Sequence, residues 1–161
     1  MHRSKSHGKG TAGLAAMAIA ILAMLVAAVP GNARTAHAAR TTISVIEHAS
    51  TDAEAPSVGG ADVAGNILTF HNQIYNQADK KPVGRDEGFC TRLSVADGSW
   101  ECLWTTFLKG GQITVQGPYY DKRNSVLTIT GGTGRYNGAR GHMALLARDS
   151  GKKYNFVFHL I

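Results

Sequence analysis

Only two cysteines, Cys90 and Cys102, occur in 161 residues, so a dense disulfide framework is excluded and at most one internal bridge is available. No G-x-S-x-G element or other nucleophile motif is present, which removes the hydrolase chemistry that such an elbow supports. The four histidines beyond residue 38 are His48, His71, His142 and His159. None shows a ligand spacing such as H-x-x-x-H, so no metal and no cofactor are expected. No clustered basic face is visible either: Lys80-Lys81, Lys122-Arg123 and Lys152-Lys153 each fall in a turn-like stretch, which excludes nucleic acid as the expected partner.

The net charge of +6 is largely a property of the first 38 residues. There "MHRSKSHGKG" supplies a basic start and "TAGLAAMAIAILAMLVAAV" an apolar run, followed by Ala36-His37-Ala38, the small-x-small pattern of a signal-peptidase site. Residues 1–38 thus read as a signal peptide cleaved after Ala38, with Ala33 as the second choice. The expected protein is secreted and keeps no stable membrane span after cleavage. An uncleaved anchor is the competing reading, because the apolar run reaches the lower edge of spanning length. Removing Arg3, Lys5, Lys9 and Arg34 leaves 13 basic against 11 acidic residues, a net charge of only +2.

Residues 39–161 form one domain's worth of chain with a period of two almost throughout and no convincing helix. The alternation predicts strands over 41–48, 66–75, 88–95, 99–108, 111–117, 125–130, 141–148 and 154–161. Turn-like connectors such as Asp97-Gly98 and "DKRN" at 121–124 separate them, with lengths that suit hairpins. The expected fold class is all-β: an eight-stranded antiparallel up-and-down barrel of lipocalin-like architecture, with an interior filled by side chains or holding one small ligand. Residues 49–65, rich in small side chains, are expected to wrap over one end.

The stretch "GGTGRYNGARG" at 131–141 invites comparison with phosphate-binding loops. A Walker loop needs Gly-Lys-Ser/Thr and a following helix, and neither is present. Gly132, Gly134 and Gly138 give G-x-G-x-x-x-G, which misses the dinucleotide fingerprint. The stretch reads instead as a bend where glycines permit close backbone approach.

After an apolar strand, that glycine stretch resembles the signature shared by dirigent proteins and allene oxide cyclases. "ISVIEHASTDAEAP", "TFHNQIYNQADKKPVGRDEGFC" and "GQITVQGPYYDKRNSVLTIT" together are similar to the allene oxide cyclase side, in order and nearly through the whole of 39–161. The "VQGPY" element and the spacing from Glu47 to Pro56 are the specific parts. The resemblance implies an isomerase-type cyclase that turns an unstable allene oxide, an epoxy fatty acid of oxylipin metabolism, into a cyclopentenone. Such a reactive oxide hydrolyses readily, so a dry cavity that folds the chain supplies much of the catalysis.

The resemblance also implies residue roles. Glu47 matches the carboxylate that polarises the substrate and assists epoxide opening. Pro56 and Asn72 match groups that hold the water contacting the epoxide oxygen. Cys90 matches a soft side chain that assists rearrangement of the opened intermediate, and Tyr119 matches a ring that faces the developing cation. Two positions depart from the family: Ala49 and Ala55 stand where an asparagine and a serine help to hold the water. The resemblance further implies a homotrimer and a lipophilic small-molecule substrate.

A hairpin centred on Asp97-Gly98 would pair 93 with 102 and 90 with 105, placing the two cysteines on opposite faces, whereas a bulge would bring them together. The sequence leaves Cys90 either free or bridged to Cys102. Two rival functions share the fold. In one, a dirigent-like or carrier protein binds phenoxy radicals or a hydrophobic molecule without making bonds, with Arg140 matching the dirigent pocket arginine. The other is a ring-closing cyclase acting on polyketides.

Overall fold

The computed structural model describes residues 40–55 and 59–161. The proposed leader (1–38), its cleavage site and Pro56 lie outside the described residues. The strands are β1 (Thr41–His48), β2 (Ala53–Ala55), β3 (Ile67–Asn76), β4 (Pro82–Ser94), β5 (Ser99–Leu108), β6 (Gly111–Tyr120), β7 (Ser125–Gly134), β8 (Gly141–Arg148) and β9 (Lys153–Leu160). Among the described residues the only helical piece is a 3-10 turn at Asp149–Gly151.

All sheet neighbours are antiparallel, in the order β1-β9-β8-β7-β6-β5-β4-β3-β2. The additional pairing of β1 with β3 closes eight of these strands into a barrel, with β2 as an extra short strand on β3. Closure leaves no long unpaired edge. The closed eight-stranded barrel is the fold that the alternation predicts.

The alternation has a direct structural meaning, because successive side chains of a strand point to opposite faces. On β5, Trp100, Cys102, Trp104 and Thr106 are buried, whereas Glu101, Leu103 and Thr105 are not. Ile113 and Val115 on β6, Leu127 and Ile129 on β7, Met143 on β8 and Phe156 and Phe158 on β9 fill the same interior. Burying a phenylalanine such as Phe156 contributes about 1.5–3 kcal/mol, so this interior holds the barrel together.

Register supplies the first correction. Cys90 lies directly opposite Cys102, not opposite residue 105, and the two are joined by a disulfide. Two features set this register: Ser94 pairs with Ser99, so the hairpin centres on Ala96-Asp97 instead of Asp97-Gly98, and a shift between Arg92 and Ser94 leaves Leu93 as the extra residue on β4. One inserted residue moves every earlier side chain on that strand to the other face relative to its partner. The second correction is the start of β4, at Pro82 instead of 88. Arg85 and Glu87 face outward while Asp86 is buried, so the charged stretch left between two expected strands is itself an alternating strand.

Much of the glycine stretch is strand. Thr133 and Gly134 still pair with Gln112 and Gly111, and the bend proper covers 135–140. Gly134 has φ +59°, and a side chain there would run into the Gly110 carbonyl, so glycine is required at this crossing. Tyr136 and Ala139 of the bend pack against the core, which makes the stretch a plug for the barrel end at which β7 finishes and β8 begins. At the other end, where β1 and β6 finish, the Arg92 guanidinium holds Asp62 through Nε at 2.9 Å and Nη2 at 2.8 Å, and Asp121 through Nη1 at 2.6 Å. Arg92 also lies 4.0 Å over the Trp100 ring. This clamp ties the irregular segment after β2 to the corner between β6 and β7.

Candidate active site

β1, β3, β4, β5, β6, β8 and β9 place inward side chains around one cavity of about 50 Å³. Leu68, Phe70, Trp104, Leu145 and Phe156 make its apolar wall. Trp104 meets Phe70 and Phe156 at ring-centroid distances of 5.9 and 5.6 Å, in edge-to-face and tilted contacts. The polar lining comes from Glu47, Asp52, Tyr119 and Tyr154, with the Cys90–Cys102 disulfide alongside.

Glu47 ends the inward row of β1 and is 6% exposed. Asn72, 1% exposed, donates from Nδ2 to Glu47 Oε1 at 2.8 Å and to Asp52 Oδ1 at 2.7 Å. Asn72 Oδ1 accepts the Ser50 and Thr51 backbone N–H groups at 3.0 and 2.9 Å and the Thr51 hydroxyl at 2.9 Å. One amide therefore fixes both the acid and the loop that carries Asp52.

The Asn72 backbone N–H donates at 3.2 Å to Oδ1 of Asp86, a second, fully buried carboxyl on β4. Burial pushes the Glu47 carboxyl well above the usual carboxylate range; the charges of Asp86 and Asp52 add to the effect, and the Asn72 bond opposes it. Burial likewise raises Asp86, to about 7, against the opposing hydrogen bond from the Asn72 backbone. Burial therefore favours the acid form of Glu47 over its anion.

Tyr119 and Tyr154 meet hydroxyl to hydroxyl at 2.9 Å, with rings edge to face at 6.0 Å. Burial raises both phenols, so both stay protonated, and the hydrogen bond to Tyr154 raises Tyr119 further. Neither ring carries a negative charge that would compete with the acid at the site.

Of the residues expected at the site, Glu47, Cys90 and Tyr119 line this single cavity, and Asn72 stands behind Glu47. Two of the implied roles need correction. Cys90 has no thiol, because it is bridged to Cys102; what it presents to the cavity is disulfide sulfur. Asn72 is spent on protein partners at both its oxygen and its nitrogen, so it positions Glu47 and Asp52 in place of binding a water. Arg140 is exposed in the glycine bend at the plugged end and does not line the cavity. Ala49 donates its backbone N–H to the Lys152 carbonyl at 3.0 Å, and Ala55 is exposed on β2.

Asp86, Asp52, Trp104 and Tyr154 were not singled out by sequence. For Tyr154 and Trp104 a signal exists: each is in phase with the buried members of its own strand, Phe156 and Phe158 on β9 and Trp100 and Cys102 on β5. Among the described residues, no group of three His, Cys, Asp or Glu side chains is arranged to hold a metal ion.

The profile of the allene oxide cyclase family matches residues 37–160. The chain belongs to the allene oxide cyclase family. Solved structures of similar fold include a pyocyanin demethylase, 22% identical with a TM-score of 0.63 over 73% of this chain and 100% of that one. A pterocarpan synthase dirigent protein is 16% identical, with a TM-score of 0.61 over 76% of this chain and 86% of its own. An exo-specific intermolecular Diels-Alderase is 15% identical, with a TM-score of 0.60 over 76% and 98%. At these identities the likeness is one of fold. The allene oxide cyclase family assignment makes this a barrel of cyclase type and leaves its substrate open.

Proposed function

We propose that this allene oxide cyclase family member closes a ring in an unstable allene oxide or a similarly reactive lipophilic chain, as an isomerase with Glu47 as its acid. The observation that carries this reading is a buried carboxyl, its acid form favoured by burial, in the wall of a largely apolar cavity. Glu47 would donate its hydrogen bond to the epoxide oxygen as the C–O bond breaks. The resulting pentadienyl cation, facing the Tyr119 ring, forms the new C–C bond. The oxygen ends as the ketone and the hydrogen bond relaxes back to Glu47, so all atoms balance without a co-reactant. Apolar walls keep water from the cation. Secretion through the leader at 1–38 and assembly as a homotrimer belong to the same proposal.

The dirigent-like alternative draws on Arg140, which lies at the plugged end, away from the cavity. The test is the purified protein mixed with freshly generated allene oxide, with products resolved by chiral chromatography. One cis-cyclopentenone enantiomer above background is expected, and Glu47→Gln should lower its rate at least about 100-fold. Racemic product at the uncatalysed rate overturns the reading for that substrate.

A further inference from the structure

Behind the cavity wall lies a carboxyl that no sequence motif singles out. Asp86 is fully buried on β4, between its cross-strand neighbours Asn72 on β3 and Thr106 on β5. Its Oδ1 accepts the Asn72 backbone N–H at 3.2 Å. Its Oδ2 has no hydrogen-bond partner, and neither has the buried Thr106 hydroxyl next to it on the sheet. An unpaired buried acceptor costs about 1–3 kcal/mol, and more when charged.

Glu47 is held at the same place: Asn72 donates from Nδ2 to Glu47 Oε1 at 2.8 Å and from its backbone N–H to Asp86 Oδ1 at 3.2 Å, so one asparagine carries both buried carboxyls. Two ionised carboxylates offer acceptors alone, so side by side they need a proton on one. The other charged group facing the position is Asp52, on the segment after β1. The neighbours from β3 and β5 are the neutral Asn72 and Thr106. With the charged neighbour Asp52 itself acidic, a second negative charge here is strongly disfavoured, as in other carboxyl pairs that share a site.

We propose that Glu47 and Asp86 hold a single proton between them at neutral pH, and that Asp86 is the positioning residue that keeps Glu47 in its acid form at the cavity wall. In use the idea rests on the cyclase reading above; its measurement does not. Two consequences follow for the chemistry. The pair carries one standing negative charge in apolar surroundings, next to where substrate would become positive, which stabilises the transition state more than the neutral ground state. The same charge holds the proton back, so Glu47 lends its hydrogen bond to the oxygen without losing the proton, as an isomerisation requires. Because the two groups are coupled, they titrate as a unit in two separated steps.

Carboxyl-carbon NMR of the protein labelled at Glu and Asp, titrated without substrate, tests this. In wild type the Glu47 and Asp86 signals should each report both steps of a shared titration. In Asp86→Asn the Glu47 midpoint should fall by at least about one pH unit, since a nearby like charge has gone and a side-chain donor has replaced it. In Glu47→Gln the Asp86 signal should collapse to one step. The proposal is overturned if Glu47 titrates in Asp86→Asn as in wild type, or if the Asp86 curve is unchanged by Glu47→Gln. With allene oxide, Asp86→Asn should lower kcat at least about tenfold with little change in KM, since the charge acts on the transition state. Shared titration without turnover leaves the pair standing and overturns the cyclase reading; turnover with independent titrations does the reverse.

Discussion

Cys90 and Cys102 face each other across β4 and β5 with their Cα atoms 4.0 Å apart and their sulfurs joined, and the bridge forms part of the cavity wall. It closes a short loop, with a sequence separation of 12, so it restricts the unfolded chain. A loop of about that length is worth about 3 kcal/mol. Reduction, or the paired Cys90→Ser and Cys102→Ser replacement, should lower the urea midpoint by a corresponding amount. Turnover of the reduced but still folded protein should match that of the oxidised form. A rise in turnover on reduction would show that a thiol takes part in the chemistry.

Tyr119 offers the cavity two things, a ring face and a hydroxyl bonded to Tyr154. The proposed chemistry uses the ring. Tyr119→Phe should keep turnover within about threefold, whereas Tyr119→Leu should lower kcat by about tenfold, the scale of one cation–π contact in a desolvated site. Equal losses in both variants would transfer the role to the hydroxyl.

Stability should fall as pH rises from about 5 to about 8. Unfolded carboxyls ionise near 4, whereas folded Asp86 keeps its proton to about 7 and Glu47 is also raised well above the usual range. Between those limits the folded chain binds more protons than the unfolded one, so each rise in pH favours unfolding. Asp79, held below its ordinary value by Lys153 and His48, works in the opposite direction only on the acid side of about pH 4. Melting temperatures measured across this range should decline in wild type and flatten in Glu47→Gln. A wild-type curve that rises over the same interval would contradict neutral, buried acids.

What sequence made legible follows from which signals are local. Alternation on β5 and β9 is dense in aromatics and aliphatics, so strand identity and inward face were both readable there. The hairpin between β4 and β5 was not: its register depends on Leu93 being left out of the pairing, and the chain around Leu93 carries no glycine or proline to mark the bulge. Asp86 was invisible for a different reason. Between Arg85 and Glu87 it looks like one more solvated charge, and only its pairing with Asn72 and Thr106 reveals that it points inward. Glu47 and Tyr119 came from family resemblance, and the structure brings them to one cavity. That the acid form of Glu47 is favoured depends first on its burial in the closed barrel and then on Asp86, which is distant in sequence.

The two ends of the barrel are built from different materials. One is sealed by Tyr136 and Ala139 of the glycine bend, packed into the core. The other is bordered by polar anchors near the chain on either side of β2, Asn72 to Thr51 and Asp52, and Arg92 to Asp62. A floor fused to the core tolerates little change, whereas a rim fastened through surface side chains can be recut around its fastenings. Descendants of this chain would therefore acquire new guests by changes at the rim beside Asp52 and Asp62, with the acid and the barrel beneath it left as they are.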